Sequence, residues 1–537
     1  MAFIQPTKKM AHERETLKKT AVFSFFTVLS RILGLGRDML KAYAFGTNLY
    51  AVAFDVAFRL PNMLRNLVAE GALSQAFVPL YETYRQKSQE EARKAAGVVV
   101  QFMVLILGSF TLLFVFLAPY LVPFFVAHDS LEKIQLTVEL SRILFPYIVL
   151  MSIAAIYMAV EYSHGIFWAP AFGPALLNLV TIIFFGGYLW LAKILHKDEA
   201  AAKLIYVFAF ITLFAGLIQL LFQMASAHLR RIGPLYGGFV KHRIIGQLFT
   251  MMLPAVFSSG IHEIGQLIDI YLATSLENKV PGAVSALTYA HRLIHLPMGV
   301  FGVALSTAAL PQLSRFFAAN EEEKFRENLL FSLKANVFLI LPAVLGLIVF
   351  GQPIVGLIFE RGEFQKASTE ITAYALQFYA PGILAFSLQK LFSSSFYAQK
   401  DTKTPAIISA LVLVLNISFS IFFMQFLRHG GLALGSSLAA YGGVFLYVRR
   451  YSQRGLLKNT AFFKKSAPIW LLNLIFLLFL LLLRSFFMSF SYLVQLMLSI
   501  PLAVGFYWFA GRYLKIEEVS LLEDLLAKLW QKIRQLS

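Results

Sequence analysis

Nine basic side chains fall inside apolar stretches of this 537-residue chain, and five of them are arginines crowded into three short segments. The first segment, Ser30-Arg-Ile-Leu-Gly-Leu-Gly-Arg-Asp38, carries Arg31 and Arg37, with Lys41 just beyond it; the second holds Arg59 and Arg65; the third holds Arg292. An arginine at the centre of a membrane helix costs roughly 2.5 to 3.5 kcal/mol on insertion scales, so each one needs a reason to be there. Its planar fork donates two parallel hydrogen bonds to a phosphate, and basic groups that converge without matching acids make a site for such an anion. At helical spacing Asp38 lies seven residues from Arg31, and Asp55 lies four before Arg59, which gives those two arginines candidate counter-ions. Arg37, Arg65 and Arg292 have no equally obvious partner. The competing reading pairs each with a backbone carbonyl or with Glu70, Glu263 or Asp269. Arg142, Lys334 and Lys390 stand nearer the ends of their stretches and read as side chains snorkelling to the interface.

Catalytic patterns are absent from the sequence. Gly34-Leu-Gly36 begins like a dinucleotide loop, but Met39 stands where the third glycine belongs. His262-Glu263 begins like a zinc-protease helix, but Gln266 replaces the second histidine. There is no phosphate-binding loop for ATP and no cysteine for thiolate chemistry or a disulfide. His291 and His295 share a helix face beside Arg292 and read as cavity-wall residues in preference to metal ligands. No cofactor and no nucleic-acid partner is expected.

The elements that must hold these charges are membrane helices. Of the residues, 58% are hydrophobic and only 14% charged, against roughly 25% charged in soluble domains. Windows of about 20 apolar residues give fourteen spans, from 20–45 to 492–513, joined by short polar loops. The first stretch lacks a small-residue cleavage pattern and is expected to be an uncleaved helix. If the N-terminus is cytoplasmic, 29 of the 47 Lys and Arg residues fall in cytoplasmic loops and tails and 9 in external loops, so the positive-inside rule puts both termini inside. Lys193, Lys197 and Lys203 run against that rule. Glycine and proline inside spans (Gly34, Gly36, Pro61, Pro79, Pro254, Pro297, Pro342, Pro381) predict broken or bent helices lining a cavity. From Ser520 to Leu536 the apolar residues line one helical face, which suits an interfacial helix resting on membrane lipids.

An internal repeat is visible. Ala72-Leu73-Ser74 followed by Pro79 recurs, displaced by 232 residues, as Ala304-Leu305-Ser306 followed by Pro311. The displacement equals six spans, so the reading is an all-α polytopic protein with two six-helix pseudo-symmetric lobes and two further C-terminal helices, a transporter architecture. The expected organisation is a cytoplasmic segment 1–19, an N-lobe 20–224, a linker 225–246, a C-lobe 247–449, a helix pair 466–513 and an amphipathic cytoplasmic tail 516–537.

The three arginine segments, with Phe58-Arg-Leu-Pro-Asn-Met-Leu-Arg-Asn-Leu-Val-Ala-Glu-Gly-Ala-Leu-Ser-Gln-Ala-Phe-Val-Pro79 as the second and Tyr289-Ala-His-Arg-Leu-Ile-His-Leu-Pro-Met-Gly-Val300 as the third, resemble the MurJ (MviN) lipid II flippases. The resemblance implies the MOP exporter fold, two lobes around a central cavity, with the last two helices forming a groove for a lipid tail. Arg31, Arg37, Arg65, Glu70 and Arg292 match the family's cavity charges, and Ser30, Asp38, Asp55, Arg59, His291 and His295 are supporting cavity groups. Val52 stands where the family has an acid, with Asp55 one turn later on the same face, and His291 and His295 replace two further acids. The implied activity is transfer of undecaprenyl-pyrophosphate-linked disaccharide-pentapeptide across a bacterial inner membrane for cell-wall synthesis, driven by membrane potential or a coupling ion. The alternatives are a MOP exporter of an O-antigen lipid-linked unit or of drugs, and a membrane enzyme acting on polyprenyl phosphates. Cation export calls for cavity acids, and an enzyme calls for convergent loop-borne acids; the sequence displays neither.

Overall fold

The computed structural model describes residues 8–67, 73–126, 130–195, 200–237, 242–455, 459–520 and 523. Every regular element among them is helical. Glu70 and most of the expected tail helix lie outside the described residues. The chain divides into two compact units, Met1–Ser285 with Arg361–Phe364, and Ala286–Glu360 with Gln365–Ser537.

The first unit contains α1 (Lys8–Phe45), α2 (Leu49–Leu64), α3 (Ser74–Arg85), α4 (Gln89–Leu121), α5 (Leu131–Leu144), α6 (Tyr147–Ser163), α7 (Trp168–Ile194), α8 (Ala201–Leu229) and α9 (Arg243–Thr274). The division falls inside α10 (Ala283–Pro297), so α9, expected at the start of the second lobe, stands with the first unit and packs on α3 and α4. The second unit continues with α11 (Val303–Ala318), α12 (Glu322–Phe359), α13 (Lys366–Ala398), α14 (Lys403–Leu427), α15 (His429–Gln453), α16 (Asn459–Phe487) and α17 (Tyr492–Tyr513). Eleven helical segments among the described residues are long and apolar enough to cross a membrane. The expected spans over α1, α2–α3 and α9 are not among those eleven. Large apolar side chains such as Leu112, Phe116, Phe426 and Leu482 point outward, which suits a lipid solvent and not water.

Polar residues set the helix starts. The Asn48 side chain accepts from the amides of Tyr50 and Ala51 at α2, and Ser88 Oγ accepts from Glu91 N at 3.0 Å at α4, satisfying donors that a helix leaves open. Gly34 and Gly36 do not break their helix: α1 runs unbroken through both, because glycine keeps the amide and carbonyl that a helix needs. Proline does not. After Pro61 the helix widens into a π turn at residues 65–67, and after Pro297 it widens again at Met298–Gly302. A proline removes one amide and crowds the carbonyl four residues back, and the ladder resumes out of register as a π turn. Shifting 65–67 by the 232-residue repeat gives 297–299, which overlaps Met298–Gly302. The matched tripeptides therefore accompany a matched break in the backbone. A further kink stands at Phe350 in α12, three residues before Pro353, while α13 passes Pro381 without interruption.

In the first unit Phe45, Phe54, Phe185 and Phe208 pack together, the Phe208 ring lying 4.8 Å from both Phe54 and Phe185. This cluster fixes the C-terminal half of α1 against α2, α7 and α8. In the second unit small residues let helices approach closely: a Cβ on Gly382 would stand 2.5 Å from Ser437 Oγ, and one on Gly435 would stand 2.6 Å from Ser420 N. Without a hydrophobic drive between helices in lipid, such backbone approach supplies the packing. The α16–α17 pair joins α12 through Tyr507 Oη, which donates to the Phe338 carbonyl at 2.8 Å. Lys334 does not simply snorkel; its ammonium sits 3.0 Å from Glu517 and 3.1 Å from Glu518, and these acids come from the segment following α17.

Candidate functional site

The first-unit charges occupy two neighbouring helices. On α1, Arg31 is half-buried, and the backbone carbonyl of Ser30 accepts from Asn178 Nδ2 of α7 at 3.1 Å. Arg37 donates Nε and Nη2 to Asp38 Oδ1, at 3.2 and 2.9 Å. Asp38 is thus paired with its sequence neighbour Arg37, for which spacing had offered no obvious partner. One turn on, Lys41 is almost fully buried and meets Asp55 Oδ1 of α2 at 2.5 Å, while Asp55 Oδ2 accepts from Ser285 Oγ at 2.8 Å. Asp55, expected to serve Arg59, thus has both oxygens engaged by Lys41 and Ser285.

Arg59 and Arg65 lie on the proline-broken segment and are supported from α9. Arg59 donates to the Gln266 amide oxygen. Arg65 stands in the π turn, donating Nε to Asn62 Oδ1 at 3.1 Å and Nη2 to Asn66 Oδ1 at 2.8 Å; Asn66 in turn donates to Glu263 Oε1 at 3.2 Å. Glu263, which spacing offered as a competing partner, therefore reaches Arg65 through an asparagine. Hydrogen bonds to amide oxygens orient a guanidinium, and a π turn is a frequent mark of a functional position. A fixed cation on a re-aimed backbone can meet an anion.

Arg292 belongs to the second unit, on α10, as do its neighbours. The His291 and His295 rings meet edge to face with centroids 4.4 Å apart, and His291 packs against Tyr379 at 5.7 Å. Beyond α10 the π turn ends at Gly302, where a Cβ would stand 2.3 Å from Ser387 Oγ. Ser387 is itself bonded to Asn336 at 2.7 Å, and both are fully buried. The break that follows Arg292 is therefore seated on a polar pair from α12 and α13. Arg37, Arg59 and Arg65 are each oriented by their own partners; with Arg31 they stand in one unit, and Arg292 stands in the other.

The family model described as "Lipid II flippase MurJ" matches residues 41–502. The chain belongs to the MurJ family of lipid II flippases. The MurJ relative from Burkholderia cenocepacia, named "Lipid II flippase MurJ", is 32% identical over 441 residues, 81% of this chain and 83% of that protein. One from Vibrio cholerae, named "Probable lipid II flippase MurJ", is 32% identical over 463 residues, 82% of this chain and 84% of that protein. The solved structure titled "Lipid II flippase MurJ, inward closed conformation" superposes with a TM-score of 0.76 at 28% identity, covering 92% of this chain and 99% of that one. An inward-facing multidrug MATE transporter of the MOP superfamily follows at TM-score 0.65 and 15% identity, over 81% of this chain and 98% of that one; that likeness concerns the fold alone. MurJ membership makes the chain a multi-pass membrane transporter and not an enzyme.

Sequence reasoning missed the partners that α9 and α10 contribute. Asp55 was visible as a candidate counter-ion, but nothing in its spacing pointed to Ser285, and Lys133 with Glu277 gave no signal at all. These contacts join residues 230 and 144 positions apart.

Proposed function

We propose that this chain carries lipid II, undecaprenyl-pyrophosphate-linked disaccharide-pentapeptide, from the inner to the outer leaflet of a bacterial cytoplasmic membrane by alternating access. Arg31, Arg37, Arg65 and Arg292 bind the pyrophosphate, and the polyprenyl tail stays in lipid along α16 and α17. Both termini face the cytoplasm. The observation that carries the headgroup assignment is Arg65 in a π turn, oriented by two asparagine amide oxygens at 2.8 and 3.1 Å, one of them on Asn66, which is tied to Glu263. A guanidinium held in a fixed orientation donates charge-assisted hydrogen bonds to an anion.

The chain carries no ATP-binding loop, so the drive is the membrane potential or an ion gradient. An inside-negative potential favours outward movement of a net negative load by about 2.3 kcal/mol per charge per 100 mV. Complementation tests the reading. Cells depleted of their own lipid II flippase should resume growth with the wild-type chain and fail with Arg37→Ala or Arg65→Ala at equal membrane abundance. Equal rescue by the variants removes the anion-site mechanism; failure of the wild type, when normally inserted, moves the substrate to another lipid-linked unit.

A further inference from the structure

Five hydrogen bonds converge on the chain that leads into α10. Glu277, in the connection after α9, is 6% exposed; its Oε1 accepts from Val284 N at 2.9 Å, and its Oε2 accepts from Gly282 N at 2.9 Å and from Lys133 Nζ at 3.4 Å. Lys133, in the first turn of α5, is 5% exposed. Burial pushes the Glu277 carboxyl up from its ordinary value, and Lys133 and the two amides pull against that. One residue beyond Val284, Ser285 donates to Asp55, which also holds Lys41. Gly282 has φ +85°, and a Cβ there would stand 2.4 Å from the Thr47 carbonyl, so the segment is seated against the turn between α1 and α2.

Two buried cation–carboxylate pairs are a poor way to gain stability, since apolar residues of the same volume usually do as well or better. What they do supply is a fixed position. Ser285 and Arg292 are seven residues apart, two turns along one face of α10. We propose that Glu277 and Asp55 are positioning residues for Arg292. Glu277 fixes the height of the first turn of α10 through its amides, and Asp55 fixes the rotation through Ser285; the guanidinium two turns on is placed by both. Lys133 and Lys41 keep the two carboxylates aimed.

The proposal rests on Arg292 as a headgroup contact, and its test separates the two ideas. In full-length protein, Glu277→Gln and Asp55→Asn should raise amide hydrogen exchange over residues 282–290, a readout independent of transport. They should lower lipid II transport in proteoliposomes by about ten- to a hundredfold, the cost of a misplacement of about 1 Å. On an Arg292→Ala background the same substitutions should cost less than about twofold, because residues acting through one partner are not additive. Lys133→Met, which spares both amide bonds of Glu277, serves if Glu277→Gln is not recovered in the membrane. Unchanged exchange overturns the proposal, and so does a full transport loss that persists without Arg292. Normal transport by Arg292→Ala instead overturns the headgroup role of that arginine, and the positioning claim falls with it.

Discussion

Replacing Arg37 separates its charge from its geometry. Its Nε and Nη2 are given to Asp38 at 3.2 and 2.9 Å, and Nη1 has no partner among the described residues. A pyrophosphate oxygen can therefore take one strong hydrogen bond from Nη1 while Asp38 keeps the fork aimed. A hydrogen bond to a charged group contributes about 1.5 to 3 kcal/mol, which is roughly a 10- to 150-fold change at 1.4 kcal/mol per decade. Arg37→Ala should thus lower kcat/KM for lipid II by that factor. Arg37→Lys keeps the charge but cannot serve Asp38 and the phosphate together, and should fall between alanine and the wild type. Asp38→Asn removes the competing anion, so the headgroup binds more tightly and leaves more slowly; KM and kcat should fall together, as for any interaction that favours the bound ground state. The assay is the initial rate of fluorescent lipid II translocation in proteoliposomes across a series of substrate fractions. Arg37→Ala within twofold of the wild type, or lysine and alanine indistinguishable, would refute the reasoning.

Three other positions give independent expectations. Gly46→Ala, at φ +53° with the Glu363 carbonyl 2.3 Å from the new Cβ, should destabilise the purified protein much more than Gly455→Ala, at φ +72° with nothing within 4 Å; the latter carries only backbone strain of roughly 1 to 2 kcal/mol, and thermal unfolding in detergent ranks the two. Burial pushes the Asp401 carboxyl up, but two hydrogen bonds from Thr404 and the Arg454 guanidinium outweigh it and hold the group below its ordinary 3.8. A depressed carboxyl adds stability above its unfolded value and loses it as pH falls through the folded one, so the wild-type advantage over Asp401→Asn should shrink as pH drops below about 4. Lys334→Met should free Glu517 and Glu518, and with them the segment after α17, from α12, and limited proteolysis should then cut there faster while α12 stays protected.

Hydropathy made the spans legible because a lipid solvent demands long apolar helices, and the cost of burying charge made Arg31, Arg37, Arg59, Arg65 and Arg292 conspicuous. The repeat at Leu73 and Leu305 was legible as a tripeptide, and its structural counterpart is the π turn after Pro61 and after Pro297. Proline signalled these breaks but not their kind, since Pro381 breaks nothing. Counter-ions were not legible. Helical spacing offered Asp55 to Arg59, but a carboxylate goes to whichever cation tertiary packing delivers, here Lys41. Glu277 was invisible for the same reason, its cation lying 144 residues away.

The most direct measurement is lipid II translocation by the purified chain. Fluorescent lipid II confined to one leaflet of proteoliposomes should reach the other at a protein-dependent rate that rises with an imposed potential and collapses when Arg37 and Arg65 are both alanine. A rate no greater than in protein-free liposomes, or one unaffected by the double substitution, would contradict the account.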